Sequence, residues 1–124
     1  LLKEKVNYGV GDGIRVCCKV RIPENFYFDD MDLNVIFANI LDNAIQACMV
    51  VPHEDREISI DTKTHGRFLM IESANSWASG PVEEGIGLTN IRIVAAKYQG
   101  TMELSSTDRQ FRISVLLRAP GDMV

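Results

Sequence analysis

Three short stretches of this sequence carry groups that could handle a phosphorylated ligand, and each is ambiguous when taken alone. Asn39 and Asn43 stand four residues apart, so on a helix their amides emerge from neighbouring turns of one face. Amide oxygens are neutral hard ligands, suited to a magnesium ion that keeps several waters and is also held by a nucleotide's phosphates. The same spacing serves equally well for surface or capping roles. Gly85-Ile86-Gly87, ahead of an apolar-periodic run, lets backbone approach a ligand closely and presents unpaired N–H groups at the positive end of a helix. Entry into a helix after a flexible loop explains such a pair just as simply. Asn75 closes the strand-like stretch Ile71 to Ser76, where its amide can accept from an exocyclic amine and donate to a ring nitrogen, the pairing an adenine edge asks for. Its plainer role is to form a turn.

Other candidates carry less. His53 stands among Pro52, Glu54 and Asp55, and His65 precedes Gly66, so both read as exposed loop histidines. No serine, histidine and acid arrangement can be recognised from them. Trp77, the sole Trp, serves as well for a loop anchor as for a stacking surface. Cys17, Cys18 and Cys48 are odd in number and lack zinc-ligand spacing. Adjacent Cys17 and Cys18 point to opposite faces of a strand, which argues for reduced packing residues in a cytosolic setting. The chain has no Gly-x-x-x-x-Gly-Lys-Ser/Thr loop and no longer glycine fingerprint of a dinucleotide-binding unit.

The elements that must position these groups follow from periodicity. Asp32 to Cys48 is the firmest helix: Leu33, Ile36, Phe37, Ile40, Leu41, Ala44, Ala47 and Cys48 fall on one arc, with Asn39, Asp42, Asn43 and Gln46 opposite or beside it. Asp32 is the expected N-cap. Leu1 to Val10 is expected to be the tail of a helix stopped by Gly11-Asp12-Gly13. Ile14 to Ile22 alternates as a strand with one wet side, and Pro23 to Met31 connects it to the central helix, with Phe26 and Phe28 packing beneath. Glu57 to Thr62 and Arg67 to Ser73 predict an antiparallel hairpin around His65-Gly66. Ala74 to Glu84 reads as a loop, and Leu88 to Tyr98 as a second helix with Gly100 as its stop. Thr101 to Ser105 and Phe111 to Leu117 supply two more strands. The order predicts an α+β two-layer sandwich in which helices cover one face of a mixed, mainly antiparallel sheet.

At 124 residues the chain fits one domain, 1–124. With 46% hydrophobic and 24% charged residues it has the composition of a soluble globular protein. A formal charge of -4, no basic run and few aromatics exclude a nucleic-acid partner, whereas an anionic cofactor can still be held by backbone amides. No apolar run approaches the length of a membrane span. The start at Leu1 reads as that of an excised piece.

Taken together and in order, the pieces resemble the GHKL ATP-binding domain of sensor histidine kinases. Leu33 to Ala47 looks like the family's asparagine box, Glu84 to Arg92 followed by Val94, Tyr98 and Gly100 looks like its second glycine box and following helix, and Phe111 to Leu117 matches its usual last strand. Details lean toward the AgrC-like peptide-pheromone receptors of quorum sensing: Leu41-Asp42-Asn43-Ala44-Ile45-Gln46-Ala47, the pair Asn75-Ser76, a short lid, and Lys97-Tyr98-Gln99-Gly100. Residues 1–10 match the end of a linker helix.

The resemblance implies a Bergerat-type ATP-binding fold and a site for ATP and Mg2+. In it Asn43 would hold the metal, and Asn39 would sit near the phosphates at the position associated with activation or orientation. Gly85 and Gly87, with the amides of Ile86 and Leu88, would line the phosphate end. Asn75 stands where the wider family has an aspartate that reads adenine, a departure that implies weak nucleotide affinity. The phosphorylated histidine would lie on a missing dimerisation domain, so the fragment would bind ATP without completing autophosphorylation. The full protein, a membrane receptor with this domain in the cytoplasm and out of membrane contact, would pass the phosphoryl group to a response regulator and dimerise only at full length. Alternatives are an anti-sigma-type serine protein kinase and a degenerate, non-catalytic GHKL interaction domain.

Overall fold

Apolar residues at period two lay down the strands, and two longer segments at period 3.6 form the helices that cover them. The computed structural model describes residues 2–9, 13–80 and 82–121. Its elements run β1 (Leu2–Gly9), β2 (Arg15–Arg21), α1 (Asp30–Cys48), β3 (Glu57–His65), β4 (Phe68–Ser76), α2 (Ile86–Lys97), β5 (Thr101–Ser106) and β6 (Gln110–Arg118), with one 3₁₀ turn at His53–Asp55. The strands form one sheet in the order β1-β2-β3-β4-β6-β5. Only β2 and β3 pair in parallel, because α1 crosses over between them; the other neighbours are antiparallel. This is the mixed, mainly antiparallel sheet with helices on one face that the periodicities predict.

Strand faces follow the alternation. Ile58, Ile60, Leu69, Ile71, Phe111, Ile113, Val115 and Leu117 are buried toward α1 and α2 together with Ile36, Ile40, Ala44, Leu88, Ile91 and Ala95. Arg15, Lys19, Glu57, Glu103 and Arg112 are exposed on the opposite face. The hairpin of β3 and β4 closes tightly: His65 pairs with Phe68, and Gly66 takes φ +61 at the first position of the two-residue turn.

Two expectations are corrected here. Leu2–Gly9 is a strand, not the end of a linker helix, and pairs antiparallel with β2. Leu2, Val6 and Tyr8 also fit period two, and the free edge of β2 supplies the hydrogen bonds, a non-local partner that periodicity within the segment does not reveal. Leu1, Val10 and the expected Gly11-Asp12 stop lie outside the described residues, as does Pro81 in the loop. The N-cap of α1 is Asp29, whose side chain accepts from Met31 N at 2.8 Å. Asp32 is instead a first-turn acid that reaches across to α2, accepting from Lys97 Nζ at 2.7 Å and Tyr98 Oη at 2.5 Å.

Phe26 and Phe28 are buried as expected, Phe28 meeting the Tyr98 ring edge-on at 5.1 Å. At the far end of α1 the buried Arg56 donates to Val51 O at 2.9 Å and Met49 O at 3.3 Å, a cation over the negative end of the helix. No disulfide joins the cysteines, and burial pushes the thiol of Cys48, in the last turn of α1, up from its ordinary value.

Candidate functional site

The site is built where α1 and α2 lie side by side. Asp32 at the start of α1 meets Lys97 and Tyr98 at the end of α2, while Asn39 farther along α1 meets Gly87 at the start of α2, so the two helices run antiparallel. Asn39 Nδ2 donates back to Val35 O at 2.8 Å, which turns Oδ1 outward against the glycine turn. A Cβ placed on Gly87 would sit 2.9 Å from that Oδ1, closer than real Cβ atoms come, so any side chain here would push the Asn39 amide out of its position. Asn43 follows one turn on, half-buried, and its side chain makes no hydrogen bond to another described residue.

The start of α2 is left open. Gly85 is its N-cap and provides no side-chain bond, and the first helical bond runs from Thr89 N to Gly85 O at 3.0 Å. The amides of Ile86, Gly87 and Leu88 therefore have no intrahelical acceptor and stand at the positive end of the helix dipole. The sequence places the helix start at Leu88; it begins at Ile86, because a glycine N-cap lets the turn tighten earlier. Glu84 anchors the loop immediately before it, accepting from Arg92 Nη2 at 2.8 Å, Arg92 Nε at 3.1 Å and Thr89 Oγ1 at 3.3 Å. Hydrogen bonds from Arg92 hold the Glu84 carboxyl below the usual range, and that carboxylate raises Arg92 in turn.

Asn75 lies apart from this junction, near the end of β4 between Ile58 and Phe111 in the helix-facing row. It is 2% exposed. Its Nδ2 donates to Ser76 O at 2.8 Å, and since a carbonyl only accepts, the amide orientation is set and Oδ1 is left as a buried acceptor with no partner. Ser73 Oγ and Trp77 Nε1 are buried and unpartnered in the same way. Each such group costs about 1–3 kcal/mol if left unpaired, so three within five residues mark a strand end made for something other than packing. Sequence reasoning passed over Ser73 and left Trp77 undecided. The signal available was their alternation with Asn75, which gives one strand face three polar handles in succession.

A cavity of about 780 Å³ opens at this end of the sheet. Val51, Ile58, Asn75, Trp77, Arg109 and the exposed Arg15–Glu57 ion pair are among its walls. Asn39, Asn43 and the Gly85 to Leu88 turn are not, so the structure brings Asn39 and Gly87 together and sets Asn75 at a separate station. His53 and His65 are exposed, as expected.

Solved structures share this fold. The catalytic domain of histidine kinase ThkA superposes with a TM-score of 0.72 at 14% identity, covering 97% of this chain and 100% of that one. The histidine kinase domain of the Erythrobacter litoralis EL346 blue-light activated histidine kinase gives 0.71 at 12% identity, with 90% and 54% covered. Acinetobacter baumannii histidine kinase AdeS gives 0.66 at 12%, with 86% and 55% covered. The chain thus spans about half the length of the latter two. No curated protein matches it by sequence. The sequence model of the GHKL domain, by contrast, matches residues 28–118, from the loop before the asparagine-bearing helix to the end of β6, and the chain belongs to that family.

Proposed function

We propose that the chain, 1–124, is the Mg-ATP-binding catalytic domain of a sensor histidine kinase, which phosphorylates a histidine on a dimerisation domain outside this sequence. The observation that carries the reading is the meeting of Asn39 Oδ1 with Gly87, which puts a helix-borne amide face beside an uncapped run of backbone donors. A triphosphate suits that junction: its oxygens accept from the Ile86, Gly87 and Leu88 amides, and the helix dipole favours its charge. Among the described residues no group of His, Cys, Asp and Glu could hold a metal ion. A divalent cation would therefore depend on Asn43, on water and on the phosphates themselves, the set expected of magnesium. The unpartnered Asn75 Oδ1 supports an adenine amine at the other station. Asn43 would hold the Mg2+, whose chemistry there would be Lewis-acid stabilisation of charge on the transferring group.

In the full protein the phosphoryl group would pass from the histidine to a response regulator. The sequence resemblance to AgrC-like motifs is what supports a peptide-pheromone receptor of quorum sensing, which would be homodimeric at full length with this domain on the cytoplasmic side of the membrane. No helix of the described residues is long and apolar enough to cross a membrane.

A second reading, a non-catalytic GHKL interaction domain, is favoured by one observation: Asn75 stands where the wider family has an acid, so the strand end offers an adenine amine no charged acceptor. Calorimetric titration with a non-hydrolysable ATP analogue and magnesium separates the two. Wild type should bind saturably, and Asn43→Ala should lose ~10-fold or more in affinity with the fold intact, as for a lost metal ligand. Equal affinities would sink the metal assignment, and no saturable binding at millimolar nucleotide would favour the interaction domain.

A further inference from the structure

An acid stands immediately ahead of the glycine turn, and it is held to one side. Glu84 precedes the N-cap Gly85, and its carboxylate accepts from Thr89 Oγ1 at 3.3 Å, one turn into α2. It therefore lies alongside the first turn of the helix. A carboxylate in that place is a natural acceptor for orphan amides, and its charge suits the positive end of the dipole. Arg92 draws it away. The guanidinium grips both oxygens, Nη2 to Oε1 at 2.8 Å and Nε to Oε2 at 3.1 Å, while Nη1 donates to Met102 O at 3.2 Å. Met102 is buried in β5, so the arginine is fixed to the sheet and to the loop at once. Only a planar fork offers that set of donors. Both side chains are partly exposed, so the pair adds little to folding; what it decides is where the negative charge goes.

We infer that Arg92 is a positioning residue for the nucleotide: by holding Glu84 toward the sheet edge it keeps that carboxylate off the amides of Ile86, Gly87 and Leu88, which stay open to phosphate. The inference rests on the nucleotide-binding reading above. Glu84 is then an internal competitor of the triphosphate, and Arg92 is the group that restrains it. Once released, the carboxylate would take the donors and set a like charge against the phosphates. A bridge that merely ordered the loop would behave differently, because losing either partner would then weaken binding alike.

The test is a pair of single variants and their double, titrated calorimetrically with a non-hydrolysable ATP analogue and magnesium. Arg92→Gln should weaken binding ~10-fold, whereas Glu84→Gln should bind as tightly as wild type or more so. The double variant should recover to within ~2-fold of wild type. In nucleotide-free Arg92→Gln the amide protons of Ile86, Gly87 and Leu88 should move downfield in NMR spectra as they gain a carboxylate acceptor, and return in the double variant. Arg92→Gln binding like wild type, or Glu84→Gln losing as much as Arg92→Gln, would overturn the inference while nucleotide binding itself stands. If Arg92→Gln does not fold, Glu84→Gln decides, since a loss of several-fold there makes the pair a simple tether. A wild type that binds no nucleotide at all defeats the proposed function, and this inference with it.

Discussion

The two ends of α2 are finished in opposite ways. At the C-terminus Gln99 takes the left-handed φ of +55, Gly100 N donates to Ala95 O at 2.8 Å and Gln99 N to Ala96 O at 3.0 Å, the two bonds of a Schellman motif. The Tyr98 carbonyl accepts from Arg118 N at 3.0 Å, and its hydroxyl ties Asp32 and the Asp29 amide together. At the N-terminus Gly85 caps nothing and the first amides await an acceptor. A helix whose last turn is so completely satisfied has no general weakness for hydrogen bonding. Its bare first turn is local, and it lies where Asn39 presses on the glycine pair. The contrast teaches that one end holds the layers together and the other is kept available.

The same substitution at the two ends should therefore do opposite things. Gly100→Ala should be the largest effect: its Cβ would fall 1.6 Å from the Leu116 carbonyl oxygen, so backbone must move, and a loss of ~3 kcal/mol or more is expected in urea unfolding. A neutral result would mean that the packing of α2 on β6 is looser than described. Gly87→Ala meets only the flexible end of Asn39. Its stability should hold within about 1 kcal/mol, because alanine favours the helix, while affinity for Mg-ATP falls ~10-fold. If Gly87→Ala costs several kcal/mol of stability while sparing affinity, the two ends do not divide the work in this way.

Tyr98→Phe should cost about 1–2 kcal/mol, having removed a hydroxyl that donates to a carboxylate and accepts from the Asp29 amide at 3.0 Å. Unchanged thermal stability would show that the Tyr98 hydroxyl does not help hold the start of α1 to the end of α2. The smallest effect is on pH. Hydrogen bonds from Lys97 and then Tyr98 hold the Asp32 carboxyl below its ordinary value of 3.8. A depressed carboxyl contributes stability in full above the unfolded value and loses it as pH falls through the folded one. Stability owed to Asp32 should thus be level from pH 7 down to near pH 4 and decline below it, with a shallower decline in Tyr98→Phe. An acid loss of equal slope in both proteins would assign that loss to other carboxylates.

Much of the fold was legible because its patterns are local. Ile14 to Ile22 alternates and is buried accordingly; Ile36, Ile40 and Ala44 recur at helical spacing and are fully enclosed. Where a long-range partner decides, local pattern fails. Leu2–Gly9 took strand form from the edge of β2, and Asp32 left the capping role to Asp29 because α2 offered it Lys97 and Tyr98. Gly100 reads in sequence as the stop of the second helix; it is Gln99 that takes the left-handed φ, and Gly100 is needed where the chain passes Leu116.

Residue types and spacing alone determined which groups could meet a nucleotide: two amides one turn apart, a glycine pair opening a helix, an asparagine at a strand end. Tertiary structure alone decided that Asn39 closes on Gly87, that Asn75 stands at a different station, and that its oxygen and the Trp77 indole nitrogen are buried without partners. The physical reason is that periodicity is a property of one segment, whereas an unpaired buried atom is defined by everything that does not reach it.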